Sequence, residues 1–349
     1  MTASPLSLTL GSVPLKSPVI AGSAEHLIEA EGIRHALAAG AAVVVAKSIN
    51  ESQAAKDQLQ RAEYLALDDN WQPVPWGADA PRAAFIACRS GLTPQSFDAW
   101  LEQTARLDRE AKAQDAYVAA SLILSGLDRL IDMARSVEQA GIRILEVNIG
   151  TPYASQASKG AVSTELDPAR VSAIVRAVRA AVSLPIWVKI TGQSERVPDL
   201  AAAARGAGAD SVVMAGGLLG LIPDLETMEP MLGTSLGVGG YWNLPLTCHW
   251  LALSRRHLGP DFPLIGVNGA QSGHDVARML LAGAHGVEIV TPVMMRGAGI
   301  IAEALSELDA YLTHKNIDVP ALIGRAADAR KTFADMPLRS DNWKNYVIR

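Results

Sequence analysis

Cysteine is almost absent: the chain of 349 residues has Cys88 and Cys248 and no C-x-x-C pair. That excludes a disulfide scaffold, a thiolate zinc module and a resident iron–sulfur cluster, and it fits a reducing compartment. No stretch reaches the ~18 consecutive apolar residues that a membrane-spanning helix needs. The opening MTASPLSLTLGSVPLKSP has no basic start followed by an apolar run, so we expect neither export nor a membrane anchor, and a cytoplasmic location. A strong charge bias is missing too. Lys plus Arg number 31 and Asp plus Glu 36, a net of −5, which provides no general attraction to nucleic acid or an anionic membrane. His26, His35, His249, His257, His274 and His285 are scattered without metal-ligand spacing. We read them as caps and surface groups. Aromatic residues are only 5%, so the core drawn from the 49% hydrophobic residues must consist mainly of Ala, Val, Ile and Leu.

What is present is an alternation. Eight short β-branched runs recur: PVIAGS (18–23), AAVVVAKSI (41–49), AYVAASLI (116–123), RILEVNIG (143–150), PIWVKITG (185–192), DSVVMAGG (210–217), FPLIGVNG (262–269) and GVEIVTP (286–292). Stretches with helical periodicity separate them. Ahead of the fifth run, Asp167 can cap, Pro168 suits a first turn, and Val171, Ile174, Val175, Val178 and Val182 share a face, with Arg170, Arg176 and Arg179 toward water. No G-x-G-x-x-G turn follows the first run. The expectation is therefore one α/β domain over residues 1–349, a (β/α)8 TIM barrel rather than a doubly wound sheet. Residues 5–17 read as a small hairpin at the barrel's bottom. Residues 50–93, with an extra strand-like piece AAFIACR (83–89), and the glycine-rich 216–244 read as long βα loops over the carboxyl-terminal face.

Two lysines end otherwise apolar strands, Lys47 after AVVVA and Lys189 after IWV, and Asn148 ends a third. Lysine is seldom buried without a partner, so the pair points to an anion or an electron-rich ligand at the barrel mouth. We place Gly266, Asn268 and Gly269 after the seventh strand and Thr291 after the eighth, where barrels bind phosphate through backbone N–H groups. Together these features point to a phosphorylated cofactor across the mouth.

On PVIAGS, VVVAKSI, LEVNIGTP, PIWVKITG, LGVGGYWNLPL and LIGVNGAQSGHDVARMLLAGAHGVEIVTP, the chain resembles the soluble, FMN-dependent dihydroorotate dehydrogenases from about Pro18 to Gly297. The resemblance implies that Lys47, with Ser48, and Lys189 contact the flavin and that Ala21, Gly22 and Ser23 lie against its ring. It implies that Asn148 meets flavin and substrate, and that Gly239, Gly240, Asn268, Gly269, Val290 and Thr291 surround the phosphate. Val290-Thr291 and Asn268-Gly269 stand where relatives have Gly-Thr and Gly-Gly, and neither change removes a backbone donor. The substrate half departs further. In Asn148-Ile149-Gly150-Thr151-Pro152-Tyr153, Thr151 takes the place of the general base and Tyr153 replaces an amide. Met214, and Cys88 aligned through Gly91-Leu92, stand where relatives carry asparagines, while Arg89 offers a fork for a carboxylate.

The leading expectation is an FMN oxidoreductase acting on a CH–CH bond of a small, carboxylated substrate, with Lys47, Asn148 and Thr151 at the chemistry and no metal. The other readings are a phosphate-binding barrel lyase or isomerase using Lys47 or Lys189, and a flavin barrel without turnover. The resemblance also implies a homodimer. It leaves the electron acceptor open, and any iron–sulfur relay would sit on another subunit.

Overall fold

The structure is a computed structural model and describes residues 4–150, 165–214 and 216–347. Its strands are β1 (Leu8–Leu10), β2 (Val13–Leu15), β3 (Val19–Ala21), β4 (Val43–Val45), β5 (Glu63–Leu67), β6 (Phe85–Arg89), β7 (Tyr117–Ile123), β8 (Leu145–Asn148), β9 (Ile186–Lys189), β10 (Ser211–Met214), β11 (Leu218–Gly220), β12 (Leu236–Gly239), β13 (Leu264–Val267) and β14 (Gly286–Ile289). Eight of them, β3, β4, β7, β8, β9, β10, β13 and β14, form a closed parallel barrel. Each lies inside one of the eight apolar runs, and β14 pairs with β3 to complete the ring. Helices outside the barrel and side chains inside it bury both faces of these strands, which is why continuous Val and Ile rather than alternation marks them.

The helix Pro168–Ala181 follows its sequence pattern: Asp167 accepts from the Ala169 N–H at 3.0 Å, and Val171, Ile174, Val175 and Val178 are buried. Arg179 departs from it. Rather than facing water, its guanidinium reaches Asp210 at 2.9 Å and the Val182 carbonyl at 2.9 Å, tying the helix end to the start of β10. The β1–β2 hairpin lies at the amino-terminal end of the barrel, as expected, with Leu10 and Val13 buried. A Cβ on Gly286, the first residue of β14, would come within 3.1 Å of Leu10 Cδ1.

The two long excursions do more than the sequence suggested. They join in one antiparallel sheet of order β11-β12-β6-β5, of which only the β6 segment was anticipated. In it Tyr64 pairs with Cys88, and Cys88 with Gly237. Strand side chains alternate between faces. Ala66, Ile86, Tyr64 and Cys88 pack with Met294 and Met295 on one face, whereas Leu67, Phe85, Ala87 and Leu236 pack with Ile222 on the other. The sheet thus roofs the carboxyl-terminal mouth of the barrel.

Candidate active site

Between the roof and the barrel mouth lies a cleft of about 1440 Å³, its open entrance included. At its rim, Lys47 stands two residues beyond β4. Its turn is fixed by Trp100 Nε1 donating to the Lys47 carbonyl at 2.9 Å and by the Lys47 N–H donating to the Leu27 carbonyl at 3.2 Å. Lys47 Nζ donates to Glu25 Oε1 at 2.8 Å and to Ser90 Oγ at 3.2 Å, and the Ser90 hydroxyl also donates to Glu25. Burial pushes the Glu25 carboxyl up, but the Lys47 charge and these hydrogen bonds outweigh it and bring it to about 2. Burial and the negative charge of Glu25 raise the neighbouring Tyr64 phenol.

The floor is a second cluster, projected inward from three barrel strands. Lys189 Nζ donates to Glu288 Oε2 at 2.5 Å and to Glu146 Oε2 at 3.3 Å, and both carboxylates are essentially inaccessible to water. Burial works against the Lys189 charge, yet the two carboxylates outweigh it and keep the ammonium protonated. Burial holds the Glu288 carboxyl well above the ordinary range; Lys189 pulls it back and Glu146 pushes it up again. A chain of hydroxyls runs from the floor toward the rim: Ser121 donates to Glu146 Oε1 at 2.8 Å, Ser48 and Ser121 are 2.8 Å apart, and Ser23 and Ser48 3.2 Å.

The third wall is made of tight backbone. Asn268 and Gly269 both have positive φ, 74° and 122°, a region that strains most side chains at the second position. A Cβ at Gly269 would lie 2.6 Å from the Leu244 backbone. Asn268 Oδ1 accepts from the Gly240 N–H at 3.1 Å, which fastens β12 to the loop after β13.

Of the expected residues, Ser23, Lys47, Ser48, Cys88, Gly91, Asn148, Lys189, Gly239, Asn268, Gly269, Val290 and Thr291 line this one cleft. Ala21, Gly22 and Gly240 stand behind the wall: a Cβ on Gly22 would meet Val290 Cγ2 at 2.6 Å and Glu288 Oε2 at 2.8 Å, and one on Gly240 would meet Phe85 Cβ at 2.2 Å. Thr151 and Tyr153 lie outside the described residues. Two substrate-side expectations need correction. Arg89 follows Cys88 along β6 and so faces away from the cleft, donating to Glu63 at 2.5 Å and to the Leu232 carbonyl at 2.8 Å. Met214 is fully buried and pairs with Gly266, whose absent side chain would meet Met279 and Leu251 of the outer helices. A third correction concerns histidine. His26 and His285 are not surface groups; burial is the main cause that brings each imidazole down to about 4.

Sequence reasoning missed Glu25, Asn50, Gln58, Tyr64, Ser90, Gln271 and Glu288, all on the cleft wall. Asn50 and Gln271 are buried polar side chains whose amide nitrogens, Nδ2 and Nε2, have no hydrogen-bond partner among the described residues. Orphaned buried donors are costly, and here both border the cleft. The available signal was Asn50 in KSIN, three residues past Lys47, and Gln271 in NGAQ, three past Asn268.

A family model described as dihydroorotate dehydrogenase matches residues 72–312. The chain belongs to the dihydroorotate dehydrogenase family. It is 28% identical over 324 residues to the catalytic subunit of dihydroorotate dehydrogenase B (NAD(+)) of Methanosarcina mazei, covering 92% of this chain and 95% of that one. The corresponding subunit of Methanocaldococcus jannaschii is 26% identical over 247 residues, 68% of this chain and 76% of that one. Dihydroorotate dehydrogenase A (fumarate) of Lacticaseibacillus paracasei is 38% identical over 144 residues, 41% and 48% of the two chains. Membership makes this chain an oxidoreductase of CH–CH bonds and implies a flavin cofactor. Among the described residues no helix is long and apolar enough to cross a membrane.

Proposed function

We propose that the protein binds FMN across the barrel mouth and, acting as one domain in a cytoplasmic homodimer, transfers hydride and proton equivalents between the flavin and adjacent carbons of a small cyclic substrate. One observation carries this reading: strand-end cations Lys47 and Lys189 and orphaned amide donors Asn50 and Gln271 all face a single cleft. The donor set suits a flavin, whose ring presents carbonyl and nitrogen acceptors and whose phosphate takes N–H donors. Lys189, Ser48 and Asn148 would hold the ring, and Gly239, Asn268, Gly269, Val290, Thr291 and Gln271 the ribityl phosphate. When bound, FMN supplies the hydride chemistry at N5.

The remaining work falls to this chain's side chains. Asn148 lines the cleft, its Oδ1 accepting from the Gly150 N–H at 3.1 Å, and in this reading touches both cofactor and substrate. Thr151 takes or returns the substrate proton in this proposal. A hydroxyl does so only through a relay, because its intrinsic pKa is high. Cys88, whose strand face carries it into the cleft, is the competing proton carrier. Thr151→Ala should slow substrate oxidation without releasing FMN, and a larger loss in Cys88→Ser would transfer the role.

The substrate end argues for a neutral ring. Both lysines lining the described wall are already ion-paired and Arg89 is held by Glu63, so a substrate carboxylate would compete with the chain's own acids. Amides, by contrast, are on hand in Asn50 and Gln58. A ring amide should therefore be recognised better than a carboxylate, making dihydroorotate a weaker substrate than a neutral dihydropyrimidine. Purified protein without a flavin spectrum, and not reconstituted by FMN, would remove the reading; a monomer in light scattering would remove the homodimer.

A further inference from the structure

The floor of the cleft holds more acid than base. Glu146 from β8 and Glu288 from β14 share the single ammonium of Lys189, and the two carboxyl groups are 0% and 1% exposed. Leaving both ionised would bury an uncompensated negative charge, which water-poor surroundings penalise by several kcal/mol. A proton on one of them removes that charge. The two acids are not equivalent. Glu146 Oε1 accepts from Ser121 and its Oε2 from Lys189, so both oxygens serve as acceptors, as an ionised carboxylate does. Glu288 places Oε2 on Lys189, while its Oε1 is buried with no partner among the described residues. Glu288 also lines the cleft, and Glu146 does not. Gly22 keeps this arrangement, since a Cβ there would come within 2.8 Å of Glu288 Oε2.

We propose that Glu288 stands in the floor as a neutral carboxylic acid and offers its Oε1 hydrogen to the flavin, making it a cofactor-positioning residue whose ionisation weakens FMN binding. The elevated carboxyl of Glu288 agrees with the charge count. The inference rests on the FMN reading for its ligand, but not for the proton itself. The titratable groups around it are Glu146, behind the floor on Lys189, and, lining the cleft, Lys189 beside it and Glu25, Lys47, Tyr64 and Cys88 at the rim. Glu25 is ionised well below neutrality, and Lys189 and Tyr64 are held protonated far above it. Cys88→Ser serves as the control for the thiol.

Two measurements test it. FMN is titrated into the apoprotein by fluorescence quenching from neutral to mildly alkaline pH. The wild type and Cys88→Ser should lose affinity as pH rises, by up to about tenfold per unit, the limit for one linked proton. Glu288→Gln, which keeps a neutral donor, should bind FMN at neutral pH about as tightly as wild type, with the pH dependence gone. In parallel, infrared difference spectra of the apoprotein across the same range should show the C=O band of a protonated carboxylic acid disappearing in the wild type and absent from Glu288→Gln. An unaltered band in Glu288→Gln, or an affinity loss with pH that Glu288→Gln retains, overturns the proposal. FMN that fails to bind at any pH removes the cofactor role and the FMN reading together, whatever the infrared band shows.

Discussion

The two lysine clusters of the cleft use the same residue type in opposite ways. At the rim, Lys47 meets one carboxylate, Glu25, and a hydroxyl, Ser90, supplied by the turn after β3 and by the roof; charges balance and the group stays within reach of water. At the floor, Lys189 meets two buried carboxylates, Glu146 on the adjacent strand β8 and Glu288 reaching across the barrel interior from β14, and an acid is left over. The rim thus arises from loops that meet only when the roof folds over the barrel. The floor is dictated by the barrel itself: register sets β8 against β9, with Asn148 paired to Lys189, and closure of the ring brings Glu288 of β14 to face them.

Substitutions at the floor should break this contrast most visibly. Lys189→Met strands two buried acids, and removing one partner of a buried ion pair costs about 3–5 kcal/mol. Urea unfolding should report a loss of that size together with loss of flavin, and adding Glu288→Gln should restore part of the stability. The rim comes next. Lys47→Ala leaves Glu25 without its ammonium, an uncompensated group worth about 1–3 kcal/mol, and should lower flavin retention far more than removal of the exposed Lys331. The Glu25 carboxyl is depressed in the folded protein to about 2, so its contribution is present above the unfolded carboxylate range and disappears as pH falls toward 2. Acid titration of unfolding should find that segment flattened in Lys47→Ala.

A smaller pH effect belongs to the buried imidazoles. His26 and His285 are held near 4, below the ordinary imidazole value of 6.5, so the unfolded chain takes up protons first. Stability should fall as pH drops from 6.5 toward 4 and be less sensitive in His26→Gln, measured by thermal unfolding. The smallest effect is expected for Arg89→Ala. Its pair with Glu63 is largely solvent-facing, side chains 37% and 54% exposed, which limits the cost to under about 1 kcal/mol. Substrate KM should stay near wild type, whereas a large rise would return Arg89 to the cleft.

The barrel was legible because each wall strand is buried on both faces and so leaves a continuous β-branched run, from PVIAGS to GVEIVTP. Lys47 and Lys189 stood out against those runs as charges where apolar residues were due. Glu146 and Glu288 sit in such runs and were equally visible, yet their meaning depends on which side chains meet inside the closed barrel, and that is not written in local sequence. The roof was less legible still: β5, β11 and β12 are three to five residues long and gain their order from pairing with distant segments. That pairing also decides why Cys88 enters the cleft and Arg89 leaves it. The segment with Thr151 and Tyr153 departs from the family pattern in sequence and lies outside the described residues, so mutation decides the proton carrier.

Because the acids of the cleft occupy its cations, a flavin oxidoreductase built this way should prefer a neutral ring. The most direct measurement is anaerobic stopped-flow bleaching of the FMN-loaded protein by 5,6-dihydrouracil and by dihydroorotate, the same ring with and without the carboxylate. The neutral ring should bleach the flavin saturably, and dihydroorotate only slowly or with weak saturation. Fast, saturable bleaching by dihydroorotate at low micromolar concentration, with none from the neutral ring, would contradict it.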